Sequence, residues 1–249
     1  MGDLRGKVVR REMQRSGWFF IFVFFAVTGA WAQSPQTIQA PQSATAPPSQ
    51  IERIGEGRFR IGRIVLDKTS QTLHLPACVN MQDGMIELVA CANGGKLHES
   101  IFRVPIEPRD LQLGLLLLGL KQKGGVRFQG DSTLPEGDQV LIFVEKDGQR
   151  RRVEDYVWDR KRLAPMERTG WVFSGSKFLN GEFGAQLTRT LITTQHDPYT
   201  ILDNPLPTGV DSDQYEVNGK VTPPVGTSVT LVIQTVRPAL PQEEKGEKK

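Results

Sequence analysis

The stretch Val140–Glu145 (VLIFVE) runs into Lys146, then Asp147-Gly148, then Gln149–Val153 (QRRRV). β-Branched and aromatic residues dominate the first arm, and Asp-Gly is a strong signal for a two-residue hairpin turn. The same grammar recurs on both sides. Phe59–Leu66 (FRIGRIVL) is followed by a turn at Asp67–Ser70 and a return over Thr72–Leu75. Met85–Ala90 (MIELVA) follows Asp83-Gly84, and Trp171–Ser174, Leu187–Thr193 and Val229–Val236 (VTLVIQTV) are further short apolar runs between breakers. One segment changes period. Asp110–Lys121 (DLQLGLLLLGLK) places Leu111, Leu115 and Leu118 on one stripe, with Pro108 at a natural N-terminal boundary and Asp110 suited to the first turn. Gly114 is costly inside a helix unless it allows close approach to a neighbour. A second short helix is expected around Glu154–Trp158. The pattern predicts an α+β, mainly β chain: a strand-rich single domain with one leucine-rich helix packed on the sheet.

The ends read differently. Residues 1–17 are polar and basic, Trp18–Val27 (WFFIFVFFAV) is an unbroken apolar run, and Ala30-Trp31-Ala32 offers small residues for a signal peptidase. Residues 1–32 are therefore expected to be a signal peptide cut before Gln33. The run is shorter than the roughly 20 apolar residues of a membrane span; an uncleaved N-terminal anchor is the alternative, and the only expected tie to a membrane. Residues 33–50 (QSPQTIQAPQSATAPPSQ) carry no charge and read as a disordered linker. Residues 238–249 read as a polar tail, leaving 51–237 as the folded domain. The chain has 31 basic and 28 acidic residues, a formal charge of +3, and that excess lies within residues 1–32. The balanced remainder argues against nucleic acid as a partner. Two cysteines rule out any four-cysteine iron–sulfur or zinc site within this chain.

Several strings form a recognisable set: Pro76–Ser100 (PACVNMQDGMIELVACANGGKLHES), the leucine helix, Leu134–Glu145 (LPEGDQVLIFVE), Trp171–Ser176 (WVFSGS), Asp197–Pro205 (DPYTILDNP) and Val225–Ile233 (VGTSVTLVI). Together they resemble the YdjY-like domain of bacterial envelope proteins. The resemblance implies an envelope setting and a domain boundary, and no particular reaction. It also implies a cysteine at the position of Cys91, whereas Cys78 departs from the family pattern.

Candidate chemistry concentrates in Gly94–Ser100 (GGKLHES), where Lys96, His98, Glu99 and Ser100 bring a cation, a base, a carboxylate and a hydroxyl together. On a strand, His98 and Ser100 would share a face and Glu99 would oppose them. A Ser–His hydrolase also needs an orienting acid and an oxyanion hole, and the sequence displays neither. The plainer reading is a set of hydrogen bonds that fixes neighbouring loops. His98, Glu99, His196 and Asp203 have the ligand types of a mixed N/O metal site, and His74 is the third histidine. No H-x-x-x-H or H-E-x-x-H spacing occurs, and neither a metal nor any other cofactor is assigned. Asp197-Pro198 and Asp203-Asn204-Pro205 suit turns. Cys78 and Cys91 would enter an oxidising compartment, which favours a disulfide. A tight hairpin at Asp83-Gly84 would instead make them diagonal neighbours, too far apart to bond; both states stay open. Arg150–Arg152 and Arg160–Arg162 (RKR) alternate with acids and read as a solvated, compensated face.

The expected function is that of an exported envelope protein, periplasmic or secreted. It would act as a non-enzymatic binding or accessory domain for an unidentified envelope partner or cell-surface component. The alternatives are a hydrolase using His98, Glu99 and Ser100, or a redox or metal accessory factor using Cys91 and the histidines. The candidate polar cluster is Cys91, Lys96, His98, Glu99, Ser100, His196, Asp197, Asp203 and Asn204. Cys91–Ser100 is expected to meet Asp197–Asn204, which would give His98 an acidic neighbour.

Overall fold

The computed structural model describes residues 50–236, all within one compact unit. The expected signal segment, almost all of the linker and the tail lie outside the described residues. Strands β1 (Ile51–Gly55), β2 (Arg58–Ile61) and β3 (Ile64–Asp67) form a meander that continues into β4 (Thr72–Val79). Then come β5 (Leu88–Ala92), β6 (Ser100–Val104), helix α1 (Pro108–Leu117), β7 (Gln122–Gly124), β8 (Glu136–Lys146) and β9 (Gln149–Arg152). The remainder holds β10 (Val157–Asp159), β11 (Ala164–Pro165), β12 (Trp171–Phe173), β13 (Phe178–Leu179), β14 (Glu182–Phe183), helix α2 (Gly184–Thr188), β15 (Thr190–Thr193), β16 (Leu202–Asp203), β17 (Tyr215–Val217) and β18 (Ser228–Thr235).

Eight of these strands close on themselves in the order β4-β18-β8-β12-β16-β15-β5-β6, with β6 returning to β4 through Cys78 opposite Arg103 and Val79 opposite Phe102. The β15–β16 and β5–β6 pairs are parallel and the other six antiparallel. Closure removes the unpaired edges that an open sheet would expose. An eight-stranded barrel has an interior that side chains can fill. Here Leu75, Leu231 and Val144 sit side by side on β4, β18 and β8, and Leu73, Ile233 and Ile142 form the next row. All six are at most 1% exposed. The fold is thus strand-rich and mainly β, as expected, with the barrel as its added feature. Among the described residues no helix is long and apolar enough to cross a membrane.

The hairpin at Asp147-Gly148 forms as read: both residues take positive φ (51° and 75°), and Lys146 pairs with Gln149. That is the turn geometry whose twist matches antiparallel strands. Asp83-Gly84 does not make a hairpin. The chain beyond it is captured by β17: Ile86 N donates to Tyr215 O at 3.1 Å, and Val217 N donates to Gly84 O at 2.9 Å. Strand β6 then lies between β4 and β5. The run Phe59–Leu66 is two strands rather than one, divided at Gly62 (φ 54°).

Helix α1 starts two residues before Asp110 and stops short of Lys121, because Gly119 takes a left-handed φ of 81° just past its end. Gly114 packs on the barrel residue Leu73, whose Cδ1 would lie 3.0 Å from any added Cβ. The segment Glu154–Trp158 is not an α-helix: a 3-10 turn over Val153–Tyr156 leads into β10. The second α-helix is the short α2, where a strand starting at Leu187 was expected.

The two cysteines are free thiols. Both align with Arg103 of β6, Cys78 from one side and Cys91 from the other. Two strand spacings put their backbones about 10 Å apart, beyond the reach of a disulfide. Arg103 Nε instead donates to Cys78 Sγ at 3.4 Å.

Candidate functional site

The polar cluster forms where β15 ends beside the start of β5. Glu87, just before β5, organises it. Its carbonyl oxygen accepts from the N–H groups of Thr194 (2.8 Å) and Gln195 (3.2 Å). Its carboxylate accepts from Lys96 Nζ at 2.9 Å and Gln129 Nε2 at 2.8 Å. Lys96 also reaches Glu99 Oε1 at 2.7 Å. Burial works against charge on Lys96, but its hydrogen bonds to Glu99 and Glu87 outweigh this and raise its pKa.

Behind this ion cluster lie two further acids, one buried and one half-buried. Asp203, fully buried on β16, accepts from Thr193 Oγ1 (3.1 Å) and Asn204 N (2.8 Å) through Oδ1, and from Asp197 N (3.4 Å) through Oδ2. Burial pushes its carboxyl well above the usual carboxylate range, with the backbone donors opposing. Burial raises Asp197 as well, against the Tyr199 N–H at 2.7 Å and the charge of Lys96.

His196 ties the cluster to two distant loops. It is fully buried, with Nδ1 2.7 Å from the carbonyl oxygen of Asp131 and Nε2 3.0 Å from that of Asn204. Its own N–H donates to Gly209 O at 2.7 Å. The ring covers Gly209 so closely that a Cβ there would stand 2.2 Å from Cδ2. Asp131 is held in turn by Arg127, which grips both carboxylate oxygens at 2.9 and 3.0 Å, and by the N–H groups of Arg127 and Thr133. The Arg127 hydrogen bond keeps that carboxyl well below the ordinary range. Asn204 donates from Nδ2 to Thr194 O and accepts at Oδ1 from Leu206 N.

Lys96 and Glu99, rather than His98, are the residues of the first segment whose charges act on Asp197 of the second. The hydrogen-bonded link is indirect, from Lys96 to Glu87, from Glu87 to Thr194 and from Thr194 to Asn204. Leu97–Glu99 is a 3-10 turn, so strand alternation does not apply there. The His98 side chain is 79% exposed, with Nε2 3.8 Å from Glu99 Oε2. Ser100 is buried on β6 and donates to Phe102 O at 3.1 Å. Cys91 lies beside it, and burial pushes the thiol pKa up, which disfavours the reactive thiolate. Nothing here joins a nucleophile to a base: both ring nitrogens of His196 face backbone carbonyls, and the Ser100 hydroxyl is spent on another. The mixed set His98, Glu99, His196 and Asp203 is not gathered; among the described residues no three His, Cys, Asp or Glu side chains are placed to hold a metal ion. His74 contacts Thr72 Oγ1 at 3.1 Å, away from the cluster's partners.

Sequence reasoning missed Glu87, Gln129 and Asp131. Two left a trace. Glu87 is a lone charge inside the apolar string MIELVA, and Asp131 stands four residues after Arg127 in a turn-rich segment.

No curated protein and no solved structure matches the chain. The model of the YdjY domain matches residues 64–234, from the first residue of β3 to the penultimate residue of β18. That span includes every strand of the closed barrel and the whole His196–Asp203 network, and the chain belongs to the YdjY domain family.

Proposed function

We propose that the protein is exported to the cell envelope and acts there as a binding or accessory domain, without chemistry of its own. Export rests on the sequence alone, on the basic segment, the apolar run Trp18–Val27 and Ala30-Trp31-Ala32. The observation that carries the binding reading is the separation of base from nucleophile. His98 is turned to solvent while the Ser100 hydroxyl is buried and already donates to a carbonyl. A hydrolase would need those two groups in hydrogen-bond contact.

Two readouts on the expressed full-length chain test this. Intact mass of the exported protein should begin at Gln33, and recovery of the unprocessed chain in the cytoplasm would contradict export. A fluorophosphonate probe should leave Ser100 unmodified in the folded protein, while stoichiometric labelling at Ser100 would replace the binding reading with a hydrolytic one.

A further inference from the structure

The two basic strings, read alike in the sequence, differ in the structure. Around Arg160–Arg162 each cation has an acid: Arg160 meets Glu216 at 3.4 Å, Lys161 meets Asp211, and Arg162 meets Glu167 at 3.2 Å. Arg150–Arg152 instead line one wall of a cleft of about 460 Å³, to which Lys146 and Arg168 also contribute. The lining holds those five cations against two carboxylates, Asp147 and Asp155.

Both acids are already engaged. Lys146 pairs with Asp147, and Arg168 grips Asp155 through two hydrogen bonds of 2.8 Å. Arg152 is held by Glu154 beneath the cleft. Arg150 meets Glu145 at 3.5 Å, lies over the Phe143 ring at 3.8 Å and donates to Gln234. That leaves Arg151, whose side chain has no ion pair or hydrogen bond among the described residues. Beside it stands Tyr156, only 5% exposed, its ring packed edge-on against Phe102. The Tyr156 phenol lines the same cleft and makes no hydrogen bond to a described residue. Burial raises its pKa, so it stays a neutral donor at physiological pH. A phenol hydroxyl left free of protein partners and an unpaired guanidinium thus share one concave space lined by basic side chains.

We propose that this cleft binds a phosphate group, with Arg151 as its principal ion partner and the Tyr156 hydroxyl as a second donor. Four of the five cations already have an acid, so the charge left for a ligand is that of Arg151. The guanidinium fork matches adjacent phosphate oxygens. The volume falls in the range of small-molecule sites, and Arg150 already covers the Phe143 face, so no stacking base is needed. The proposal rests on the reading of the chain as a binding domain and names its ligand class. A free phosphate ester and an anionic lipid headgroup share this chemistry.

The full chain, titrated at constant ionic strength with inorganic phosphate and glycerol 3-phosphate by calorimetry, separates the sources. In parallel it is mixed with phosphatidylcholine vesicles with and without phosphatidylglycerol. Saturable binding of the soluble esters indicates a free phosphate ligand. Binding only to vesicles containing phosphatidylglycerol indicates a headgroup. In either case Arg151→Gln should weaken binding about tenfold or more, and Tyr156→Phe, which keeps the ring packing, about three- to tenfold. No saturable binding in either arm, or binding unchanged in both variants, overturns the proposal. Such a failure leaves the fluorophosphonate result untouched, so the phosphate assignment and the binding reading fall separately.

Discussion

His196→Ala should lower the unfolding free energy by about 2–5 kcal/mol, the combined cost of a core cavity and of buried groups left without partners. The ring is fully buried and lies against two carbonyl oxygens, those of Asp131 and Asn204, that have no route to water in the folded state. Alanine leaves both facing a void. Urea unfolding reads this as a lower midpoint at unchanged slope, by about 1 M or more for a typical slope of 1–3 kcal/mol/M. Gly209→Ala should act at the same place by the opposite route, because its Cβ would meet the imidazole at 2.2 Å. The double variant should then be less destabilised than the two single effects added, since the new methyl enters space the ring has vacated. A midpoint unmoved by His196→Ala would mean that the ring holds nothing together.

The second large effect lies under the arginine cleft. Glu154 is fully buried, its carboxylate accepting from Arg152 Nε at 3.0 Å and from Gly170 N at 3.3 Å. The Arg152 side chain is itself only 17% exposed. Glu154→Ala strands a largely buried guanidinium and should cost about 3–5 kcal/mol, the usual penalty for breaking a buried pair from one side. Replacing both partners with leucine should restore much of that loss, because the charge to be desolvated is then gone. Thermal or urea unfolding of the single and double variants decides this. A Glu154→Ala protein as stable as the parent would show that water reaches Arg152 freely.

The parts of the fold that were legible in the sequence are those set by neighbouring residues. Asp147-Gly148 encodes its own turn because both positions need positive φ, and the alternation of β4 and β18 marks one buried face. Closure of the barrel is not local. It depends on β6 pairing with β4 and β5 at once, and Arg103, the residue that aligns with both cysteines, carries no mark of that position. The same limit applied to the site. Asp197, Asp203 and Asn204 read as turn residues, and that is the role of Asn204 toward Leu206. The partners of His196 are backbone carbonyls, one of them 65 residues away, and a carbonyl has no signature in a sequence. His98 stands out by its neighbours in GGKLHES, but its side chain lies in solvent beside the 3-10 turn, and Lys96 makes the ion pairs, with Glu87 and Glu99. The two arginine strings look alike in composition and differ only in which acids the fold brings to them.

The central claim is that the His196–Asp203 network is a structural tie of the barrel rather than a mobile catalytic loop. Native-state hydrogen exchange tests it most directly. Thr194 N donates to Glu87 O, His196 N to Gly209 O and Asn204 N to the Asp203 carboxyl group. These amides should exchange only through global unfolding, with the same opening free energy as Leu231 and Val232 in the middle of β18. Exchange of the three amides at least about a hundredfold faster than β18, through local opening, would contradict the account.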